Sequence, residues 1–171
     1  MHRATRRTVT LSLLAFLAAC AKPKPTLKAY KGPPITQVVV NKGDRRMYLI
    51  SGRTVVKSYD IGLGNQPIGH KQFEGDGKTP EGVYFIDRFN PRSRYHLSVG
   101  VSYPNENDQH YASFLGRDPG GDIFIHGRGP EGNAFAPKNR DWTVGCIAVT
   151  DKEIEEIYPM LRVGIPIVIN P

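Results

Sequence analysis

Residues 35–171 predict a mostly-β domain, sandwich or barrel-like, with one or two short helices. Three observations carry this. Apolar, β-branched and aromatic residues fall in many short runs. Glycines and prolines, 17 and 10 of them from Ile35 onward, punctuate those runs as turns. One stretch alone repeats its apolar residues at a helical period. The length fits a single domain with a sizeable core, and no internal repeat is visible.

In chain order, Thr36 to Val40 is a β-branched run and opens the domain as a strand. Met47 to Ile50 and Thr54 to Tyr59 flank Ser51-Gly52, which reads as a hairpin turn. From Gly62 to Gly82 there are six glycines, Pro67 and Pro80 and little apolar content. A loop this long in a compact domain is often a lid or binding loop, so it is expected over a cleft. Val83 to Ile86 and Leu97 to Tyr103 are further strands, with loops at Pro91 to Tyr95 and Pro104 to Gln109. Ile123 to Ile125 is a buried strand ending at His126, and Ile147 to Val149 follows Cys146 as another. Thr150 and Glu153 make a capping box, and Ile154, Ile157, Tyr158 and Leu161 give the helical face. Ile165 to Ile169 closes the chain as a strand.

The first 34 residues are of another kind. Arg3, Arg6 and Arg7 precede an apolar run from Val9 to Ala19, too short to span a membrane, which is the pattern of a signal peptide. The run ends in Leu17-Ala18-Ala19-Cys20, which resembles the lipobox of bacterial lipoproteins. The resemblance implies cleavage before Cys20 and acyl chains on that residue, a durable membrane anchor because each buried methylene adds about 0.8 kcal/mol. Lys22, where an aspartate would retain a lipoprotein at the inner membrane, favours a periplasm-facing position on the outer membrane. Ala21 to Pro34 is a Lys- and Pro-rich tether. The chain therefore divides into a signal peptide (1–19), a lipidated Cys and tether (20–34) and a folded domain (35–171).

Charge follows the same division. The seven basic residues before Ile35 account for the whole formal charge of +7. The domain itself is neutral, so the pI near 9.5 does not mark a nucleic-acid-binding surface.

The chemistry centres on Asp141-Trp142-Thr143-Val144-Gly145-Cys146 and on His126, twenty residues upstream. An imidazole that takes a thiol proton makes a nucleophile for a carbonyl. A lone Cys beside apolar residues is most often a small core hydrophobe. Compartment argues otherwise: exported chains pair their cysteines, Cys20 is consumed by lipid, and Cys146 is left as a solitary thiol. Gly145 permits a tight bend and leaves backbone N–H groups for an oxyanion. Arg128 is a candidate carboxylate contact, because a guanidinium forks onto a carboxylate. Trp142 is either a substrate contact or packing beneath the cysteine loop, and Tyr103 either lines the cleft or belongs to the core. Asp108 and His110 read equally as solvated loop residues or as functional ones. His70 and His96 have no companion at metal spacing, so neither metal nor cofactor is implied.

His126, sixteen residues, then Thr143-Val144-Gly145-Cys146-Ile147-Ala148 resembles the signature of the L,D-transpeptidase catalytic domain family, the YkuD-like family. Thr79-Pro80-Glu81-Gly82-Val83-Tyr84 and the opening hairpin resemble it too, so the likeness spans about Ile35 to Asn170. It implies a β-rich domain acting on peptidoglycan stem peptides, donor and acceptor. Cys146 would be the nucleophile and His126 the general base. The Gly127 carbonyl would orient the imidazole, and the N–H groups of Gly145 and Cys146 would form the oxyanion hole. Two residues depart from the signature: Val144 stands where a His is usual, and Ala148 where an Asn or Arg is usual. Arg128, Arg140 or Lys138 could supply the missing substrate contact. The near rival is an amide hydrolase using the same Cys146 and His126; the distant one is a non-enzymatic wall-binding lipoprotein.

Overall fold

The computed structural model describes residues 27–136 and 141–171. The signal peptide, Cys20, the start of the tether, Lys138 and Arg140 lie outside the described residues. Eight strands and three helices are present among those described: β1 (Gln37–Asn41), β2 (Arg46–Ser51), β3 (Thr54–Asp60), β4 (Gly82–Asn90), β5 (Ser98–Val101), α1 (Glu106–Phe114), β6 (Phe124–His126), α2 (Gly129–Phe135), β7 (Ile147–Ala148), α3 (Asp151–Ile157) and β8 (Pro166–Asn170).

The strands form one sheet in the order β3-β2-β1-β8-β4-β5-β6-β7. The β1–β8 and β6–β7 pairs are parallel and the others antiparallel. β1 alternates buried Val38 and Val40 with half-buried neighbours, the signature of a strand with one face on the core. β5 is buried at every position, so both its faces are covered.

The sheet curls until its two ends meet. Gly62, just past edge strand β3, exchanges both N–H···O bonds with Ala148 of β7 at the opposite edge, each 2.8 Å. Asn65 N–H then donates to Thr143 O (2.8 Å) and Thr143 N–H to Leu63 O (3.2 Å). Of the two architectures expected, the barrel-like one forms, and its closure abolishes a free edge at the cysteine strand.

The loop from Gly62 to Gly82 lies beneath the cysteine loop, not over it as a lid. Leu63, Gly64, Lys71 and Thr79 are buried. Gly64 N–H donates to Thr79 Oγ1 (3.0 Å), and a Cβ on Gly64 would fall 2.1 Å from Gly77 O. The Asp76 carboxylate ties the loop on itself, accepting from the N–H groups of Gln72 (2.7 Å), Phe73 (3.3 Å) and Lys78 (3.0 Å) and from Lys71 Nζ (2.9 Å).

Helix α3 carries the expected capping box, Thr150 with Glu153, and buries Ile154 and Ile157. Two helices are additional. The stretch from Pro104 to Gln109, expected as loop, enters α1, capped reciprocally by Asn105 and Asp108. Asp108 is buried, accepting from His70 Nε2 (2.9 Å) and Tyr84 OH (2.9 Å), so it ties α1 to the sheet and is no solvated loop residue; His110 is exposed.

Candidate active site

Parallel strands β6 and β7 bring the two sequence-predicted groups together. Their register pairs Ile125 with Ile147 and His126 with Ala148, so Cys146, one residue before β7, sits beside the β6 strand that ends in His126.

His126 is held from three directions. Its Nδ1 is 2.5 Å from Gly127 O. A carbonyl only accepts, so Nδ1 carries the proton and Nε2 the lone pair. Tyr95 stacks on the ring (centroids 4.6 Å apart, planes 25° apart), and Trp142 meets it edge-on at 5.9 Å. Burial pushes the imidazole below its ordinary pKa, opposed by the Gly127 carbonyl and by Asp151. Asp151 also braces the turn after β6: its Oδ1 accepts from Arg128 N–H (2.8 Å) and Gly129 N–H (2.9 Å). A Cβ on Gly127 would fall 2.6 Å from that same oxygen, which explains the glycine.

The cysteine loop is equally fixed. Thr143 Oγ1 donates to Cys146 O (2.7 Å) and accepts from Gly145 N–H (3.2 Å). Gly145 has φ of 141°, and a Cβ there would lie 2.9 Å from Lys78 O, so no other residue fits. Because Gly145 N–H is taken by Thr143, the oxyanion role expected of it does not match this geometry. The Cys146 N–H, by contrast, has no hydrogen-bond partner among the described residues. Arg45, in the turn between β1 and β2, anchors the start of the loop. Its Nε lies 3.0 Å from both Asp141 oxygens and its Nη2 2.7 Å from Oδ2.

The Cys146 thiol donates to Asp122 O at 3.4 Å, and no hydrogen bond joins it to His126 among the described residues. Burial pushes the thiol well above its usual range, to about 11, with the Asp122 carboxylate adding to the rise and Phe124, Lys71 and Arg88 opposing it. Thiol and imidazole are thus both neutral at pH 7. Val144 beside it is 74% exposed and leaves the mouth of the site apolar where the signature has an imidazole.

The remaining candidates divide. Trp142 packs against His126 and Tyr95, under the cysteine loop. Arg128 is 8% exposed; its Nε donates to Gly132 O (3.3 Å) and its Nη2 to Ala136 O, so its guanidinium braces α2 instead of meeting substrate. Tyr103 is a core residue, its hydroxyl on Pro119 O (3.0 Å), and not a cleft residue. Sequence reasoning missed Tyr95, Asp122, Arg88 and Asp151. Only Asp151 left a trace, as an acid at the first position of a capped helix.

Comparison with known proteins gives one family. The model of the L,D-transpeptidase catalytic domain (YkuD) matches residues 35–169. YafK of Escherichia coli (strain K12), a protein named as a candidate L,D-transpeptidase, is 27% identical over 157 residues, covering 86% of this chain and 57% of its own. Among solved structures, the helical cell shape determining protein Pgp2 of Campylobacter jejuni superposes with a TM-score of 0.60 at 26% identity, covering 87% of this chain and 51% of that one. An L,D-transpeptidase of Xylanimonas cellulosilytica shares the fold (TM-score 0.52, 10% identity, 82% of this chain and 63% of that one). The chain thus spans little more than half the length of YafK and of Pgp2.

Proposed function

The chain belongs to the L,D-transpeptidase catalytic domain family, and from that premise we propose that it is a cysteine acyltransferase acting on peptidoglycan stem peptides. The observation that carries this is the placement of Cys146 beside the β6 strand that ends in His126, with the imidazole's proton fixed on Nδ1. Rotation about the Cys146 side chain moves the thiol from the Asp122 carbonyl toward the imidazole. His126 Nε2 takes the thiol proton as sulfur attacks the donor carbonyl, and the oxyanion meets the Cys146 N–H. The C–N bond then breaks, the leaving amine takes the proton from His126, and a thioester remains on Cys146. An acceptor amine attacks the thioester, gives its proton to His126 and leaves with the acyl group; the thiol takes the proton back. The products are cross-links or stem peptides with an exchanged terminal D-amino acid. Water in the acceptor's place makes the same site a hydrolase.

The neutral resting pair fits this cycle, since a thiol that gives up its proton to His126 only as it attacks the bound carbonyl is protected from idle oxidation in an exported protein. The Lys- and Pro-rich tether and the lipobox-like Cys20 support a periplasm-facing domain anchored by lipid, at the outer membrane by Lys22. The similarity to Pgp2, a determinant of helical cell shape, supports a role in shaping the wall.

The test is incubation of the purified protein with tetrapeptide and pentapeptide muropeptides, with Cys146→Ala alongside, and product identification by mass spectrometry. Cross-linked dimers, or exchange of an added D-amino acid, support transfer; shortened monomers alone favour the hydrolase. No product, with Cys146 unmodified even by an added carbapenem, removes the enzymatic reading and leaves the wall-binding module.

A further inference from the structure

Three consecutive residues before β5 form a strap across His126. Arg94 Nε lies 3.2 Å from Glu131 Oε1 of α2. The Tyr95 ring stacks on the imidazole. His96 Nε2 lies 2.6 Å from Glu155 Oε1 of α3. The strap thus holds a helix at each end and the imidazole at its centre. Its backbone packs as closely on the turn after β6. Gly127 N–H donates to Leu97 O (3.2 Å), and a Cβ on Gly129 would fall 2.8 Å from Arg94 O and 2.9 Å from Tyr95 Cα.

A γ-turn spreads the three side chains. Leu97 N–H donates to Tyr95 O (3.1 Å), and the residue between them, His96, holds φ of 76°. A γ-turn of this hand is rare and strained, and its backbone is one that side-chain-bearing residues seldom adopt. Stability gives no reason for it. Arg94 and Glu131 are 71% and 52% exposed, and His96 and Glu155 are both partly solvated. Pairs of this kind add little to folding. What the strained turn does achieve is an aromatic face laid on the imidazole that faces Cys146's strand.

Resting on the function proposed above, we infer that Tyr95 is a positioning residue for the base and that the His96–Glu155 pair is the latch that keeps it in place. Rotation of the imidazole about its bond to Cβ would carry Nε2 off the path of the thiol proton. The hydrogen bond from Nδ1 to Gly127 O resists that rotation at one atom, and Tyr95 resists it across the whole ring face. Glu155 acts through His96 and the strap. Its removal therefore matters only while the Tyr95 ring is there.

The experiment is a double-mutant cycle on the purified full chain, with a tetrapeptide muropeptide donor and a D-amino acid acceptor. Tyr95→Leu lowers kcat about ten-fold or more and leaves the donor KM within about two-fold, the loss expected when a reacting group is misaligned. Tyr95→Phe keeps the ring and stays within about two-fold of the unaltered chain. Glu155→Ala lowers kcat about three-fold, and Glu155→Gln, which keeps an acceptor for His96, restores most of it. Glu155→Ala costs nothing further in a chain that already carries Tyr95→Leu. The His126 Cε1 proton resonance, assigned by its absence in His126→Asn, reads the stack independently of turnover. It lies upfield through the Tyr95 ring current, moves downfield in Tyr95→Leu, and moves part of the way in Glu155→Ala. Melting curves identify any variant that fails to fold; Glu155→Ala, at a partly exposed helical position, then decides alone. A raised KM at unchanged kcat in Tyr95→Leu makes Tyr95 a substrate contact and overturns the inference, as does an unchanged kcat and KM. So does an equal loss from Glu155→Ala with and without the Tyr95 ring, or a His126 resonance that Glu155→Ala leaves in place. Absence of turnover by the unaltered chain defeats the acyltransferase reading, and the resonance then decides the latch by itself.

Discussion

At Cys146 the controlling fact is where the sulfur sits. Protein surrounds it closely enough to push its pKa to about 11, while the neighbouring His126 is pushed down by its own burial. The sign is set by which form burial disfavours: the thiolate for Cys, the imidazolium for His, so both groups remain neutral. At pH 7 only about one thiol in ten thousand is then ionised. Alkylation of the free protein by iodoacetamide should accordingly rise close to ten-fold per pH unit from 7 through 9, with no plateau in the range of an ordinary thiol; mass spectrometry of Cys146 at timed intervals reads it. A plateau below about pH 8 would show a thiolate–imidazolium pair at rest instead. The residues around Cys146 were unequally visible in the sequence. His126, Gly145 and Cys146 announce themselves by type and spacing. Tyr95, Asp122 and Arg88 do not, because each reaches the site from a separate loop or strand and its own neighbours in sequence say nothing of the imidazole, thiol or ion pair it meets.

At the scale of elements, the long loop beneath the site is the part most dependent on a single buried charge. Lys42, 2% exposed, extends from the end of β1 and donates to Gly69 O (2.7 Å), Thr79 O (2.9 Å) and Glu81 Oε1 (2.8 Å). Burial lowers its pKa and Glu81 opposes that, so the ammonium persists because all three donors are used. Through Thr79 and Gly64 the clamp supports the floor of the cysteine loop. Lys42→Ala should cost about 3–5 kcal/mol in urea denaturation at neutral pH, the scale of breaking a buried pair on one side. Lys42→Met with Glu81→Leu should recover much of that loss, because the carboxylate is then no longer stranded. The eight strands were each legible as runs of β-formers, and α3 by its capping box. Helix α1 escaped because its face is nearly all polar, with only Asp108 and Ala112 buried; the Asn105-to-Asp108 spacing was its one signal.

Over the whole molecule, the last strand in sequence is central in space. β8 lies between β1, which it joins in parallel, and β4, and it buries Ile167 and Ile169. A chain ending at Gly164 removes the strand that joins the two halves of the sheet. It should show no cooperative thermal transition by circular dichroism, whereas loss of Pro171 alone should leave the transition in place. By itself the sequence determined the β-rich class, the strand positions, the helix after the cysteine strand and the choice of Cys146 and His126 as the candidate pair. These depend on local propensity, on period and on residue chemistry, all of which are written along the chain. Only the tertiary structure decided that the sheet closes through Gly62 and Ala148, that Arg128 and Tyr103 turn inward, and that Thr143 claims the Gly145 N–H. Those outcomes rest on which strands pair and in what register, and register is fixed by contacts between residues far apart in sequence, where no local pattern reaches.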